Sequence, residues 1–558
     1  MLTSDNLARK LSLIYCLNYF ARVNSSVFSF VLTIALSLLG LQPLAAQVST
    51  KSGSQTVSVS DNQVPQRIVV KNFEVVGSTI FTQPALNQAL KSYLNRPLTL
   101  AELFQARSTI TKLYTDQGYV NSGAYLPPQE LNDGTVQITV LEGKLEEINV
   151  SGTKDLSKDY ITDRLETATA TPINVDSLLS ALQLLRLDPL IANLSAELSA
   201  GIRPGTSVLD ITIQEADVFN LAIDLNNSRS PSVGTNQRSI GMNHGNLLGF
   251  GDRLNLEYAN TQGSNAFDLA YGFPVNAKNG TLKAAVGINS NHVIEDPFTA
   301  IDLESKSRYY ELSFRQPILL KPTQEFALGI SLTRSESETF LMNDKFFLSR
   351  GANDEGETKI SAVRLFQEFV KRNDQEVLAL RSQFSVGVDA LNSTINDDGE
   401  PDSTFVSWRG QSQWTRRLDE DLLLLLRSDV QLSAGSLVAL EQFRIGGVNS
   451  IRGYRQDLSL GDDGLFASAE LRIPILRFQK FDGLLQVTPF FDVGTVWNTD
   501  DLEIANTTLA SLGLGLNLAL GDKFNARLDW GIPLVDLETK GNSLQEDGIY
   551  FFVDYSFF

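Results

Sequence analysis

The chain has 558 residues, 42% of them hydrophobic, and a formal net charge of −19. The ordinary hydrophobic content excludes a wholly disordered chain, and the acidic excess argues against nucleic-acid binding, which requires a basic surface. The chain has two histidines, His244 and His292, and one cysteine, Cys16. These counts exclude a histidine-rich metal site, a disulfide framework and a thiolate zinc site. We therefore expect a protein that is not an enzyme and that has no catalytic residue, cofactor or metal.

Residues 1–46 have the features of an export signal. Basic residues precede an apolar run over residues 27–41, which is shorter than the roughly 20 residues that cross a bilayer as a helix. Small residues at 45–46 suggest that cleavage follows them; an uncleaved membrane anchor is the alternative. Residues 47–65 are rich in Ser, Thr, Gln and Val, which predicts a linker. Beyond the signal no apolar run reaches helix-spanning length, so a membrane location would require a β-barrel.

An internal repeat with an offset of 75 residues follows the linker. Gly77 and Gly152 each end a predicted strand, and the helix-start sequence Pro97-Leu98-Thr99-Leu100 reappears as Pro172-Ile173-Asn174-Val175. A constant offset across different elements indicates a true repeat. Each copy has the predicted order β-α-α-β-β.

The repeat predicts two small α+β modules, at residues 66–143 and 144–216. Neither carries an evident catalytic set, so we expect binding modules. An exposed sheet edge in such a module can add a strand from an extended client chain. A mere spacer is the alternative.

Residues 217–558 show the alternation of a membrane β-barrel. In Phe219–Asn226 the odd positions are apolar and the even positions mostly polar, and the leucines at even positions from 512 to 520 alternate with smaller or polar residues. Strict period 2, repeated along the chain, predicts apolar side chains toward lipid and polar ones toward the lumen. At roughly 20 residues per strand and loop, this segment allows about 16 antiparallel strands. A soluble β-sandwich would not explain such uniform alternation behind an export signal.

Four prolines fall near the ends of predicted barrel strands. We expect each to close its strand, because a proline there removes no ladder hydrogen bond. They are Pro274, Pro317, Pro474 and Pro533.

A stretch of about 30 residues, 434–463, interrupts the alternation. A loop of this length is usually functional, and its glycines permit a tight reversal. In the strand at 485–494 the odd positions are apolar, which places Asp492 on the lumen side. A carboxylate on the inner wall needs a cationic partner, and Arg452, at the tip of an inward-folded loop, could bind it through two hydrogen bonds. The alternative is a solvated arginine and a channel-lining aspartate.

Three motifs of the barrel segment, and their order along the chain, resemble those of outer-membrane POTRA–barrel transporters. The sequence from Gln442 to Tyr454 is similar to the inward-folded loop motif of that family, the sequence from Phe490 to Gly494 to its barrel-wall motif, and the sequence from Asn246 to Gly249 to its early barrel hairpin. The loop-motif residues are Gly446, Gly447, Arg452, Gly453 and Tyr454; the wall-motif residues are Phe490, Asp492 and Gly494; the hairpin-motif residues are Asn246, Leu247, Leu248 and Gly249.

With two modules before the barrel, the chain resembles two-partner secretion transporters of the haemolysin secretion/activation type, which have this arrangement. The resemblance implies two periplasmic POTRA domains, a 16-stranded barrel in the outer-membrane lipid, and pairing of Arg452 with Asp492. It also implies a large secreted client protein, encoded nearby, and we expect a monomer that binds no nucleic acid. Many relatives have a helix that plugs the barrel, but residues 47–65 lack an apolar helical stripe.

The expected function is thus the capture of an unfolded client and its secretion through the barrel. A barrel-assembly factor of the same superfamily is the main alternative, although such relatives usually carry more POTRA domains. A passive porin would not need a doubled module. A barrel hydrolase would have to use His244 or His292, and neither has an evident partner in the sequence.

Overall fold

The computed structural model describes residues 67–130, 133–396, 400–500, 502–537 and 541–558. The predicted signal and linker, residues 1–46 and 47–65, lie outside these ranges. The described chain falls into two compact units, a pair of α/β modules and a closed β-barrel. Within the described ranges, no helix is both long and apolar enough to cross a membrane.

The first module is a small three-stranded sheet covered by two helices. Its elements are β1 (Ile68–Val69), β2 (Asn72–Val76), α1 (Gln83–Leu90), β3 (Pro97–Leu98), α2 (Leu100–Thr115), β4 (Gly123–Tyr125) and β5 (Thr135–Leu141). Strand β5 is central, parallel to β2 and antiparallel to β4. A capping box starts α2, because the Thr99 hydroxyl accepts from the Glu102 amide while the Glu102 carboxylate accepts from the Thr99 amide. The helices bury Leu86, Leu103 and Ile110 in the same core as Phe73 and Ile138 of the sheet.

The second module repeats this topology. Its elements are β6 (Lys144–Ser151), α3 (Lys158–Glu166), α4 (Val175–Arg186), β7 (Ile191–Ala200) and β8 (Thr206–Glu215). Strand β8 is central, parallel to β6 and antiparallel to β7. The predicted order β-α-α-β-β is therefore confirmed in the second copy, and the first copy has the same order with the two-residue strands β1 and β3 in addition.

The two glycines of the repeat occupy equivalent places. Gly77 and Gly152 have φ angles of +85° and +83°, a region that favours glycine. A Cβ atom on Gly77 would lie 2.4 Å from the carbonyl oxygen of Val140, and one on Gly152 would lie 2.2 Å from that of Ile213. Both positions thus exclude larger residues for the same two reasons.

The second unit is a closed antiparallel barrel of sixteen strands. The strands are β9 (Phe219–Asn226), β10 (Gln237–His244), β11 (Arg253–Asn260), β12 (Ser264–Pro274), β13 (Thr281–His292), β14 (Leu303–Lys321), β15 (Gln324–Leu341), β17 (Glu357–Arg372), β18 (Glu376–Val388), β19 (Val406–Asp419), β20 (Leu422–Ser433), β23 (Asp463–Phe478), β24 (Gly483–Trp497), β25 (Thr508–Leu520), β26 (Phe524–Pro533) and β27 (Ile549–Ser556). Three further short strands lie in loops: β16 (Asp344–Lys345), β21 (Phe443–Ile445) and β22 (Ser459–Gly461).

The faces of the barrel strands agree with the predicted alternation. On β9 the side chains of Phe219, Ile223 and Leu225 are exposed on the outer surface, whereas Asp224 and Asn226 are buried. Strand β27 pairs with β9 and closes the barrel. The first and last strands are antiparallel neighbours, so both ends of the barrel chain lie at the same rim.

The expectation for the prolines is right for two strands and wrong for two. Pro274 and Pro533 end β12 and β26. Strands β14 and β23, in contrast, continue past Pro317 and Pro474, and their pairing registers shift immediately after these residues. A β-bulge accommodates a proline inside a strand because the extra residue is left out of the ladder.

Candidate functional site: the inward-folded loop

The long loop enters the barrel between β20 and β23. It spans residues 434–462, and it is less irregular than predicted, because β21 and β22 pair within it from Phe443↔Gly461 to Ile445↔Ser459. Gly446 and Gly447 then turn the chain with φ angles of +106° and +91°. These two glycines therefore form the tight reversal that the sequence predicts.

Arg452, beyond this turn, lies against the barrel wall and binds Asp492 of β24. Its Nε atom donates to Oδ2 at 2.8 Å and its Nη2 atom to Oδ1 at 2.9 Å, and its backbone amide donates to Oδ2 at 3.2 Å. Both side chains are almost completely buried. The structure thus brings the two predicted residues together in the two-pronged geometry that arginine permits and lysine does not.

The other two wall-motif residues shape the place where the loop lies. The guanidinium carbon of Arg452 is 3.3 Å from the ring centroid of Phe490, a cation–π contact. The ring also covers Gly513 of β25, where a Cβ atom would lie 2.0 Å from its Cζ atom. A Cβ atom on Gly494 would lie 2.9 Å from the Cδ1 atom of Ile451, so this glycine makes room for the loop.

Four charged residues that were not predicted from the sequence complete the site. Glu470 of β23 accepts from Arg452 Nη1 at 2.7 Å and from Arg527 Nη2 at 2.6 Å. Arg472 donates to the same glutamate at 2.9 Å, and Arg527 also binds Asp529 at 2.7 Å. With Asp492, three carboxylates thus face three arginines, which balances the charge that burial would otherwise make costly. Their inward alternation in β23 and β26 was the available sequence signal.

Gly453 and Tyr454 extend the contact to the last strands. The Gly453 amide donates to the Tyr550 hydroxyl of β27 at 2.9 Å, and that hydroxyl donates to the Tyr454 carbonyl. The Tyr454 hydroxyl donates to the Ala510 carbonyl at 2.8 Å. A Cβ atom on Gly531 of β26 would lie 2.5 Å from the Gly453 nitrogen. Backbone and side chains of the loop tip are therefore both fixed to the wall.

A further carboxylate, that of Asp462, holds the base of the loop. Asp462 is fully buried, and it accepts from the Leu437 amide at 2.9 Å and from Gln442 Nε2 at 3.0 Å. It also accepts from the Thr499 hydroxyl at 2.9 Å and from Arg350 Nη1 at 3.4 Å. The base of the loop is thereby connected to the loops that follow β15 and β24.

The hairpin motif lies elsewhere, in the turn between β10 and β11. Asn246 Oδ1 accepts from the Gly251 amide at 2.8 Å, and Asp252 Oδ1 accepts from the Leu248 amide at 2.9 Å. Gly249 has a φ angle of +93°, and Leu247 is exposed. This motif is a self-bonded turn at the rim with the chain ends, and the structure does not bring it to Arg452.

The two histidines have structural neighbours. His244 Nδ1 accepts from the Asn246 amide at 3.3 Å. His292 Nδ1 lies 3.4 Å from Asp302 and 3.8 Å from Glu304, and these three side chains could supply metal ligands. All three are partly exposed at the rim opposite the chain ends, and exposed acidic groups of this kind are common without a metal ion.

Comparisons with known proteins agree with this architecture. A family model for the haemolysin secretion/activation protein ShlB/FhaC/HecB matches residues 205–518, and a model for the ShlB-type POTRA domain matches residues 68–143. The chain is 22% identical over 475 residues to the heme/hemopexin transporter protein HuxB of Haemophilus influenzae, with 80% of each chain covered. It is 23% identical over 419 residues to the outer membrane transporter CdiB of Dickeya dadantii, with 72% of each chain covered.

A solved structure has the same fold. CdiB from Escherichia coli aligns with a TM-score of 0.71 at 19% identity, over 100% of this chain and 99% of that chain. The larger family model covers more than half of the chain, including the inward-folded loop and the wall motif. The chain therefore belongs to the haemolysin secretion/activation protein family, as an outer-membrane two-partner secretion transporter whose POTRA modules lie in the periplasm.

Proposed function

We propose that the second POTRA module captures the unfolded client by adding one of its segments to the edge strand β7. This strand has ten residues and pairs on one side with β8. Its other side has no strand partner among the described residues. Every second residue of such an edge directs its amide and carbonyl outward, which is a template for an extended polypeptide. The main support for this proposal is that β7 is ten residues long and has one unpaired edge among the described residues.

The first module offers a much poorer edge. Its equivalent strand, β4, has three residues, and the Ala124 amide donates to the Thr111 hydroxyl of α2 at 2.9 Å. A short edge strand whose backbone amide is already hydrogen-bonded is a poor template for strand addition. We therefore assign strand addition to the second module, and to the first module a supporting contact with the client.

The two faces of β7 differ in character. Leu194, Ala196 and Leu198 pair with buried apolar residues of β8, so they share the face that the helices cover. Ala196 and Leu198 nevertheless remain exposed at the margin. A client strand with alternating apolar residues would extend this face. The polar face carries Ser195 and Glu197.

The client then passes through the barrel, and the inward-folded loop must leave its place for it to do so. The loop and wall motifs, with Arg452 and Asp492 at their centre, hold the loop when no client is present. The relatives are a heme/hemopexin transporter protein and an outer membrane transporter. For this chain we propose a large secreted polypeptide encoded nearby, a monomeric barrel in contact with outer-membrane lipid, an export signal over residues 1–46 and a linker over 47–65.

The experiment compares two lysines on opposite faces of β7. Ala196→Lys places a charge on the apolar face and should strongly reduce both client cross-linking and secretion. Ser195→Lys adds the same side chain one residue away on the polar face and should leave both near the parent level. Channel conductance in liposomes, equal for the two variants, checks that the barrel is intact. Equal secretion by both variants would contradict strand addition at β7.

A further inference from the structure

The barrel closes through its shortest ladder. The ladder of β27 and β9 runs from Phe552↔Asn226 to Ser556↔Ala222, over five residues of each strand, with one further backbone hydrogen bond beyond each end. The β14–β15 ladder, in contrast, runs from Leu303↔Leu341 to Lys321↔Gln324. We call the β27–β9 ladder the closing seam. Because it has the fewest paired residues of the barrel ladders, opening the barrel there would break the fewest backbone hydrogen bonds.

A buried side-chain amide lengthens this seam. Asn227 follows β9 and is 1% exposed. Its Oδ1 atom accepts from the Phe551 amide at 2.8 Å, and its Nδ2 atom donates to the Ile549 carbonyl at 2.9 Å. The Asn227 backbone amide donates to the Phe551 carbonyl at 3.3 Å, so backbone and side chain of this residue together continue the seam at the end away from the chain termini.

A second buried amide joins the seam to the inward-folded loop. Gln545, in the loop that precedes β27, is fully buried. Its Nε2 atom donates to the carbonyls of Asn227 and Arg229, and its Oε1 atom accepts from the Gln456 amide at 2.9 Å. Gln456 lies four residues after Arg452 in the inward-folded loop. One side chain therefore binds both structures.

Two neighbours of Gln545 bind the same stretch of loop. The Tyr550 hydroxyl is bonded to the Gly453 amide and the Tyr454 carbonyl. Glu546 accepts from Arg455 Nη1 at 3.3 Å. The segment that leads into the closing strand thus holds the loop over four consecutive residues, and a buried donor or acceptor in this network loses its partner only at a substantial cost.

We infer, building on the proposed withdrawal of the loop during transport, that Gln545 couples the position of the inward-folded loop to closure of the β27–β9 seam. The docked loop keeps the Gln545 amide oriented toward Asn227, which secures the seam. Withdrawal of the loop removes the Gln456 amide from Gln545 and loosens the seam from this end. Because the coupling is a free energy between two sites, loosening the seam also loosens the loop. Gln545 is a positioning residue in this scheme.

Amide hydrogen exchange of the full chain in lipid nanodiscs measures both partners of the coupling. In Arg452→Ala the loop amides at 450–457 should exchange faster, and the seam amides at 222–227 and 549–553 should also exchange roughly tenfold faster. The ladder of β14 and β15 should be unchanged. In Asn227→Ala the effect should run the other way, from the seam to the loop amides.

Variants of Gln545 separate coupling from simple packing. Gln545→Glu retains an acceptor for the Gln456 amide but loses the donor to the Asn227 and Arg229 carbonyls, so the seam should loosen more than the loop. Gln431→Ala removes a buried glutamine that binds the loop base through the Glu441 and Asp462 carbonyls. This control should leave seam exchange at the parent rate.

Two results would overturn the coupling. One is a loop that exchanges faster in Arg452→Ala while the seam exchanges at the parent rate, and the other is equal seam loosening in Gln431→Ala and Gln545→Glu. Client secretion is measured separately on the same variants. A coupled seam response with normal secretion in Arg452→Ala would contradict the proposed role of the loop in transport and leave the coupling standing.

Discussion

Glu215 in the second module occupies the place that Glu142 occupies in the first. Glu142 directly follows the central strand β5, and Glu215 ends the central strand β8. Each carboxylate accepts hydrogen bonds from the turn that follows the parallel edge strand of its sheet, β2 or β6. Glu142 accepts from the Thr79 amide at 2.7 Å, and Glu215 accepts from the Lys154 amide at 2.6 Å. The repeat therefore extends from the order of elements to single carboxylates.

These carboxylates should make module stability depend on pH. Burial alone would raise the pKa of Glu142, but hydrogen bonds from Thr79 and Tyr114 outweigh it and lower the pKa. Burial would also raise the pKa of Glu215, but hydrogen bonds from the backbone amides of Leu156 and its neighbours outweigh it, so this pKa is lowered as well. Because both pKa values lie below those of the unfolded chain, the stabilisation is complete above about pH 4.5 and is lost as the pH falls through the folded values.

Glu142→Gln tests this dependence. The amide cannot accept all the hydrogen bonds, so the first module should lose about 1 kcal/mol of stability at pH 7. Its further loss of stability below about pH 4.5 should become smaller than in the parent. Scanning calorimetry of the full chain follows the module transition. Glu74→Gln, on an exposed position of β2, is the control, and an identical pH profile in Glu142→Gln and the parent would contradict the assignment.

Arg452→Ala and Asp492→Ala should each impair secretion while the barrel still inserts. Removing one member of a buried ion pair costs about 3–5 kcal/mol, because the other charge stays buried without its partner. The double variant should be far less defective than the sum of the two single variants. Secretion and protease sensitivity of the loop measure the defect, and the heat-dependent electrophoretic mobility of the barrel measures insertion. Simple addition of two independent defects would mean that this pair does not hold the loop.

Gly531→Ala should displace the loop without removing any charge. The new methyl group would lie 2.5 Å from the Gly453 nitrogen and 2.7 Å from the Arg452 carbonyl carbon, so the loop backbone has to move. We expect faster proteolysis of the loop and reduced secretion. Gly241→Ala on β10, where a Cβ atom meets nothing within 4 Å, should match the parent in both. Equal behaviour of the two alanine variants would indicate that the loop has room to adjust.

Deletion of about residues 67–141 removes the supporting contact with the client, so it should strongly reduce client secretion while the barrel remains inserted and conducting. The second module keeps its own core, with Leu165, Leu185 and Ile211 buried in it. Outer-membrane fractionation and liposome conductance check the barrel, and the amount of client outside the cell gives the result. Secretion at the normal rate would show that the first module is only a spacer.

Much of the fold is predictable from the sequence because its signals are periodic and long. Alternation fixes the faces of a strand such as β9 or β24, since a side chain at every second position must meet lipid. The offset of 75 residues finds the repeat without any knowledge of packing. The Arg452–Asp492 contact follows from combining the strand phase with the family resemblance.

Contacts between distant barrel strands could not be predicted, because the sequence of one strand does not show how that strand is aligned with the others. Alternation places Glu470 and Arg527 on the lumen side, but their contact depends on how β23 and β26 are staggered in the closed barrel. The prolines of β14 and β23 were wrongly predicted to end their strands, because proline is tolerated both at a β-bulge and at a strand end. Strands β21 and β22 were missed because three residues are too few to display a period.

The position of Arg452 also constrains the order in which the molecule can be assembled. Its contacts come from β23, β24 and β26, and the residue after it binds Tyr550 of β27. The receptor for Arg452 and Gly453 at the loop tip is therefore made from strands that follow the loop, and a slip of one residue in β24 would turn Asp492 toward lipid. Docking of the loop must come last, after the C-terminal strands have found their register, so a docked loop marks a correctly finished barrel.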